Sequence, residues 1–225
     1  MRLGPVSWGM KELLAVHSLR LVLGLILVRF VYPSLFTANN TVIELTDRLV
    51  VVLLVYLAVH QHHGFSWQNW KWRDLGRNIG YGLSAGVVLL GVSVFSERLY
   101  STTLALTPVQ HPLIMQVEAA ASLEQLAVPL FLAGVAAPVA EEMLYRMFTF
   151  PVLKQRFGVF LGAIGSAAIF ALFHFNAYWL AELLIVGTGL ALLYYWSGSI
   201  ISSIVAHSVI NTTKILLVFF GLTTI

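Results

Sequence analysis

The chain has 225 residues, of which 59% are hydrophobic and 10% charged; soluble domains carry about 25% charged residues, so a water-soluble globule is excluded and an integral membrane protein specified. With no cysteine there is no disulfide, thiolate nucleophile or Cys-type metal site. A net charge of +3 without a basic and aromatic patch gives no nucleic-acid partner; the partners to expect are a lipid bilayer and a peptide or protein substrate.

About 20 apolar residues cross a hydrocarbon core of roughly 30 Å. On that count the chain is an all-α, polytopic transmembrane bundle of seven helices, within a range of six to eight. Arg2 and Lys11 precede an apolar stretch that lacks a small-residue cleavage site, so no cleavable signal is expected. The first helix, about 13–36, is interrupted by Arg20 and Arg29, which snorkel if it tilts or lies in the interface. The second runs from Leu49 to His60, with Val42 as an earlier start. The segment 60–78 follows, where Trp67, Trp70 and Trp72 alternate with Lys71, Arg73 and Arg77 as at a membrane interface. It divides residues 1–69 from a core over 70–225.

The third helix is expected over 78–96. Segment 101–124 carries two prolines and reads as a long loop with a short amphipathic helix, placed as a lid. The fourth helix covers 125–150, the fifth 157–175, the sixth 178–196 and the seventh 199–220. The basic stretches at 71–77 and at Lys154 and Arg156 lie on one side, two spans apart, together with the N-terminus. The positive-inside rule makes that side cytoplasmic, in the cytoplasmic membrane of a prokaryote.

Charge inside this bundle carries the functional argument. An ionisable residue at mid-membrane costs about 2.5–3.5 kcal/mol on the insertion scale, so it faces protein or a watery cavity. The fourth helix holds Glu141, Glu142 and Arg146; the fifth ends in "FALFHFN", with Phe170, His174 and Asn176; the seventh holds "HSVIN", with His207 and Asn211. Glu142 and Arg146 are four apart and pair on one helix face. Glu141 is turned about 100° from its neighbour. Pro138 has no N–H to donate and should kink or widen the helix just upstream. His207 and Asn211 share a face, and Phe170 walls His174 from lipid.

A carboxylate with imidazoles around water is the minimum for general-base activation of that water. Asparagine and histidine can donate to a developing oxyanion. Glu141, His174, His207 and Asn211 thus form the candidate working face, and Glu142, Arg146 and Phe170 its support. Gly158, Gly162 and Ser166 form a small-residue ladder for close packing of the fifth helix, and the fifth and seventh helices should pack tightly around the site.

Other chemistries remain open on the residues alone. Intramembrane His and Asn also serve as interhelical glue, and the cluster could be structural in an immunity factor, scaffold or transporter, although no repeated halves are visible. A zinc set of Glu141, His174 and His207 is conceivable, but no HExxH motif exists. The His60, His62 and His63 run reads as interfacial loop. Ser166 is a faint serine nucleophile, and the only aspartates, Asp47 and Asp74, are placed outside membrane cores.

The ordered motifs EExxxR, FxxxH and HxxxN resemble the CPBP family: type II CAAX prenyl proteases, the Abi proteins and related bacterial membrane proteases. The resemblance spans about 70–225 with no motif position substituted, and it implies an all-helical, metal-free intramembrane endopeptidase. By it, Glu141 and His174 activate water and His207 and Asn211 form the oxyanion side. No prenyl-specific feature is present, so a CAAX substrate does not carry over. Glu141 lies about 20 Å from Lys154 at ~1.5 Å per residue, beyond the midplane from a cytoplasmic Lys154, whereas the CAAX relatives take substrates from the cytosolic side. Either Pro151 and the preceding turn end the helix early, or the orientation is inverted, or this member takes its substrates from elsewhere.

Overall fold

The computed structural model describes residues 3–35, 40–62, 74–106 and 112–222, and those residues form helices joined by short turns. The helices are α1 (Met10–Ser34), α2 (Asn40–Gln61), α3 (Leu75–Thr103), α4 (Pro112–Glu118), α5 (Leu123–Phe157), α6 (Val159–Leu172), α7 (Leu180–Ser197) and α8 (Ile200–Phe219). Among the described residues five are long and apolar enough to cross a membrane: α1, α3, α5, α7 and α8. The chain is a polytopic helical bundle.

All seven expected spans occur as helices, and α4 supplies the short helix expected within 101–124. The differences lie at the ends. α3 extends to Thr103, shortening that loop, and α5 runs past Pro151 to Phe157, so the proline does not end it. α6 stops at Leu172 after 14 residues, about 21 Å at ~1.5 Å per residue, too short to cross. The interfacial tryptophans Trp67, Trp70 and Trp72, with Lys71, Arg73 and His63, lie outside the described residues.

Prolines explain the irregular turns. Among the described residues three helical stretches widen to π geometry: Leu27–Val31, Leu132–Ala136 and Glu142–Thr149. Each ends two residues before a proline, namely Pro33, Pro138 and Pro151. In each case the residue just before the proline donates its N–H five residues back: Tyr32 to Leu27, Ala137 to Leu132 and Phe150 to Tyr145. A proline ring collides with the carbonyl four residues earlier, and opening the turn by one residue relieves it. The widening expected at Pro138 is therefore present.

Lipid supplies little hydrophobic drive between helices, so close approach of small residues does the packing. α3 lies against α8. A methyl group on Gly82 would sit 2.6 Å from Val205 Cβ, and one on Gly86 2.9 Å from Val209 Cβ. α6 packs chiefly on α5 and α7, and meets α8 through the Phe170 and His207 rings, 6.0 Å apart. Of the expected ladder, Gly162 meets the α5 backbone at Lys154, and the Ser166 hydroxyl donates to the Tyr145 carbonyl at 2.7 Å. Gly158 instead forms the α5–α6 turn with φ +82°, a left-handed value that suits glycine.

The N-terminal segment docks on α5. Trp8 stacks on Phe148 and its Nε1 donates to the Phe148 carbonyl at 3.0 Å, while Lys154 Nζ donates to the Leu3 carbonyl at 2.6 Å. The N-terminus thus shares one end of the bundle with Lys154, as the charge pattern predicts. Arg29 is exposed, but Arg20 does not snorkel. It turns inward to Asp47 on α2 at 3.2 Å, which also places that aspartate inside a helix of the bundle. Asp74 sits at the start of α3 and pairs with Arg77.

Candidate active site

Glu141, Phe170, His174, His207 and Asn211 line one cavity of about 190 Å³ between α5, α6, α7 and α8. Leu113 and Ile114 of α4 complete its wall, at the end of the bundle opposite Lys154. Residues separated by up to 70 positions in sequence therefore face one space. Glu141 stands near the middle of α5, and the shortness of α6 brings the turn carrying His174 into the bundle beside it.

The two adjacent glutamates have separate roles. Glu142 and Arg146 are both completely buried and pair at 2.9 Å. Arg146 Nη2 donates to the Gly187 carbonyl at 3.2 Å, and its guanidinium lies 4.7 Å from the Phe170 ring centre. Gly187 makes this possible: a methyl group there would lie 3.0 Å from Ala167 Cβ and 3.2 Å from both Arg146 Nη2 and the Phe170 ring. Glu141 points into the cavity, with its side chain 20% exposed.

Each imidazole has one nitrogen committed. His174 Nδ1 lies 2.8 Å from the Phe170 carbonyl, an orphan of the α6 C-terminus. A carbonyl only accepts, so Nδ1 carries the proton and Nε2 presents its lone pair. His207 Nδ1 lies 2.9 Å from Glu142 Oε1, while its Nε2 lies 3.7 Å from Glu141 Oε2. Because Arg146 keeps Glu142 an ionised acceptor, His207 also carries its proton on Nδ1 and turns Nε2 towards Glu141. Spacing assigns Glu142 only the ion pair; its hold on His207 is a tertiary contact.

Asn211 is oriented by the π-turn. Pro138 has no N–H for the Ala133 carbonyl five residues back, and Asn211 Nδ2 donates to that carbonyl at 3.1 Å. The second amide hydrogen and Oδ1 remain. Gly134 permits the approach, since a methyl group there would meet Thr212 Oγ1 at 2.5 Å.

Phe170 has more contacts than the walling of His174 requires. Its ring meets His174 edge-on at 4.6 Å, His207 at 6.0 Å and Tyr145 at 5.1 Å, as well as Arg146. Ser166 is committed to the Tyr145 carbonyl as packing. His60 stacks on Tyr56, and His62 lies 3.8 Å from Glu12, so both sit at the bundle end away from the cavity. Asn176 caps the turn after His174, its Oδ1 accepting from the Tyr178 N–H. Among the described residues no three His, Cys, Asp or Glu side chains are drawn together as a metal-ligand set, Glu141, His174 and His207 included.

A second polar cluster borders the same cavity. Lys214 donates to Glu97 and to Glu182, each at 2.8 Å, and Ser93 donates to Glu182 at 2.5 Å. Glu182 and Lys214 are each the single Asp, Glu, Lys or Arg residue of their helix, the sequence signal that could reveal them, whereas Glu97 sits beside Arg98.

Comparison with known proteins agrees with the geometry. No curated protein and no solved structure matches the chain. A family model described as "Type II CAAX prenyl endopeptidase Rce1-like" matches residues 123–213, a segment that begins with α5 and ends in α8 beyond Asn211. Over the helices that build this cavity the chain is similar to the Rce1-like type II CAAX prenyl endopeptidase family, in accord with the CPBP motifs they carry.

Proposed function

We propose that the protein is an intramembrane endopeptidase in which Glu141 is the general base. Glu141 and His174 Nε2 hold a water molecule, and Glu141 takes its proton as the oxygen attacks the scissile carbonyl carbon. His207 and Asn211 stabilise the oxyanion; His207 does so as an imidazolium already formed before attack, donating from Nε2 and keeping both its protons throughout, with Glu142 holding its Nδ1 side. Glu141 then passes the proton to the leaving amine nitrogen as the C–N bond breaks, and the products are a carboxylic acid and an amine.

The observation that carries this reading is the shared cavity: a partly exposed carboxylate, two imidazoles each anchored through Nδ1, one of them turning Nε2 towards that carboxylate, and an amide line one space. The chemistry needs no metal, since the base is the glutamate itself. The apolar walls at Leu113, Ile114, Ala137 and Ile215 suit a peptide or a membrane-associated protein chain. The setting proposed is a prokaryotic cytoplasmic membrane. Comparison of membrane and secreted peptides from a host carrying the wild-type chain with those from one carrying Glu141→Gln tests it. Loss of specific cleavage products in the variant is expected, and identical peptide sets contradict it.

A further inference from the structure

We propose that Arg20 of α1, outside the segment matched by the family model, is a positioning residue for the site: it holds the helix carrying Glu141 and the turn carrying His174 in one register. The proposal rests on the proteolytic reading above. Arg20 makes three directed contacts. Its Nη1 donates to the Tyr145 hydroxyl at 2.9 Å, its Nη2 pairs with Asp47 of α2 at 3.2 Å, and its guanidinium carbon lies 5.4 Å from the Phe173 ring centre. Tyr145 is buried one turn after Glu141, and Phe173 immediately precedes His174. Arg20 is also within electrostatic reach of Glu141.

The same face of α1 repeats the clamp. His17, three residues before Arg20, has its ring 5.8 Å from that of Tyr145 and 5.3 Å from that of Phe173, and its Nε2 lies 3.0 Å from Thr149 Oγ1. One helix face therefore touches both elements that present the proposed water-activating pair. A guanidinium suits the task because its planar fork fixes two acceptors while its face lies on an aromatic ring; an ammonium supplies the charge without the plane. Asp47 keeps that charge paired in the bundle, where an unpaired cation is costly.

The test uses the full chain in phosphatidylethanolamine–phosphatidylglycerol nanodiscs, with Arg20→Met, Arg20→Lys and Tyr145→Phe. Tyr145→Phe keeps the ring and removes only the hydroxyl. Two readouts are taken: turnover of a quenched-fluorescent peptide that the wild type cleaves, and deuterium uptake along the chain. Arg20→Met is expected to lower kcat by about 10–100-fold, since a misplacement of about 1 Å at the reacting groups costs up to about 100-fold, with KM within about twofold. Arg20→Lys recovers part of that loss. Uptake in Arg20→Met rises in segments 141–149 and 170–178 and stays unchanged where α3 meets α8. The proposal is overturned if Arg20→Met keeps kcat within about threefold, if uptake in those two segments does not change, or if it rises equally across α3 and α8. Failure of the proteolytic reading is recognised separately, by Glu141→Gln cleaving the peptide as the wild type does; the uptake readout then decides on its own whether Arg20 holds the two segments together.

Discussion

His207 Nδ1 lies 2.9 Å from Glu142 Oε1, so the carboxylate that neutralises Arg146 also sets which face of the imidazole meets Glu141. Two neighbours in sequence thus divide the work: Glu142 holds charge and orientation inside the protein, and Glu141 faces the cavity. The division is testable residue by residue.

Glu142→Gln leaves the fully buried Arg146 without its counter-charge. Breaking a buried pair typically costs about 3–5 kcal/mol, whereas a change at the cavity-facing Glu141 stays within about 1 kcal/mol. Thermal unfolding of the purified variants in one detergent should show a large fall in Tm for Glu142→Gln and almost none for Glu141→Gln. Equal falls would remove the distinction between them.

Gly187 and Gly189 offer a matched pair. A methyl group on Gly187 meets Ala167, Arg146 and Phe170 together, whereas one on Gly189 meets chiefly the tip of Leu89, which can turn aside. Gly187→Ala is expected to cost about 1–3 kcal/mol through overpacking and to lower activity by displacing Arg146. Gly189→Ala should change both far less. Unfolding midpoints and peptide turnover of the two variants, measured side by side, decide it.

Pro138→Ala restores an N–H beneath the Ala133 and Gly134 carbonyls. The widened turn then closes towards regular α geometry, and Asn211 competes with the backbone for its acceptor. Loss of one residue from the turn rotates Glu141 by about 100° relative to the start of α5. Cleavage should fall by about 100-fold or more, since misplacement by about 1 Å already costs that much, while helix content by circular dichroism is retained. Full activity in Pro138→Ala would mean that the π-turn does not set the site.

Metal removal separates a glutamate base from a zinc-bound water. With Glu141 as the base, dialysis against a strong chelator should leave turnover unchanged, and elemental analysis of active protein should find well under one zinc per chain. Loss of activity on chelation, restored by zinc, would assign Glu141, His174 and His207 as ligands instead.

Short-range features were the legible ones. The spacing of Glu142 and Arg146, and of His207 and Asn211, follows from helical periodicity, and the widening before Pro138 follows from a missing N–H. Long-range pairings have no such signature: Arg20 finds Asp47 and Tyr145, and Lys214 finds Glu97 and Glu182, only when separate helices meet. Arg20 and Asp47 therefore read as interfacial, although α1 and α2 turn them towards each other. Helix ends were obscured for a related reason. The apolar run continues past Leu172, but Phe175 adopts φ +50° and the chain turns there, with the His174 ring taking up the Phe170 carbonyl.

The central claim is that Glu141 strips the proton from the attacking water. The most direct measurement is hydrolysis of a defined peptide by purified protein in lipid vesicles, comparing wild type with Glu141→Gln at matched Tm. The account predicts that Glu141→Gln retains its fold and loses at least about 1,000-fold in turnover, of the order of a general base that also returns its proton. Turnover within about tenfold of the wild type would contradict it.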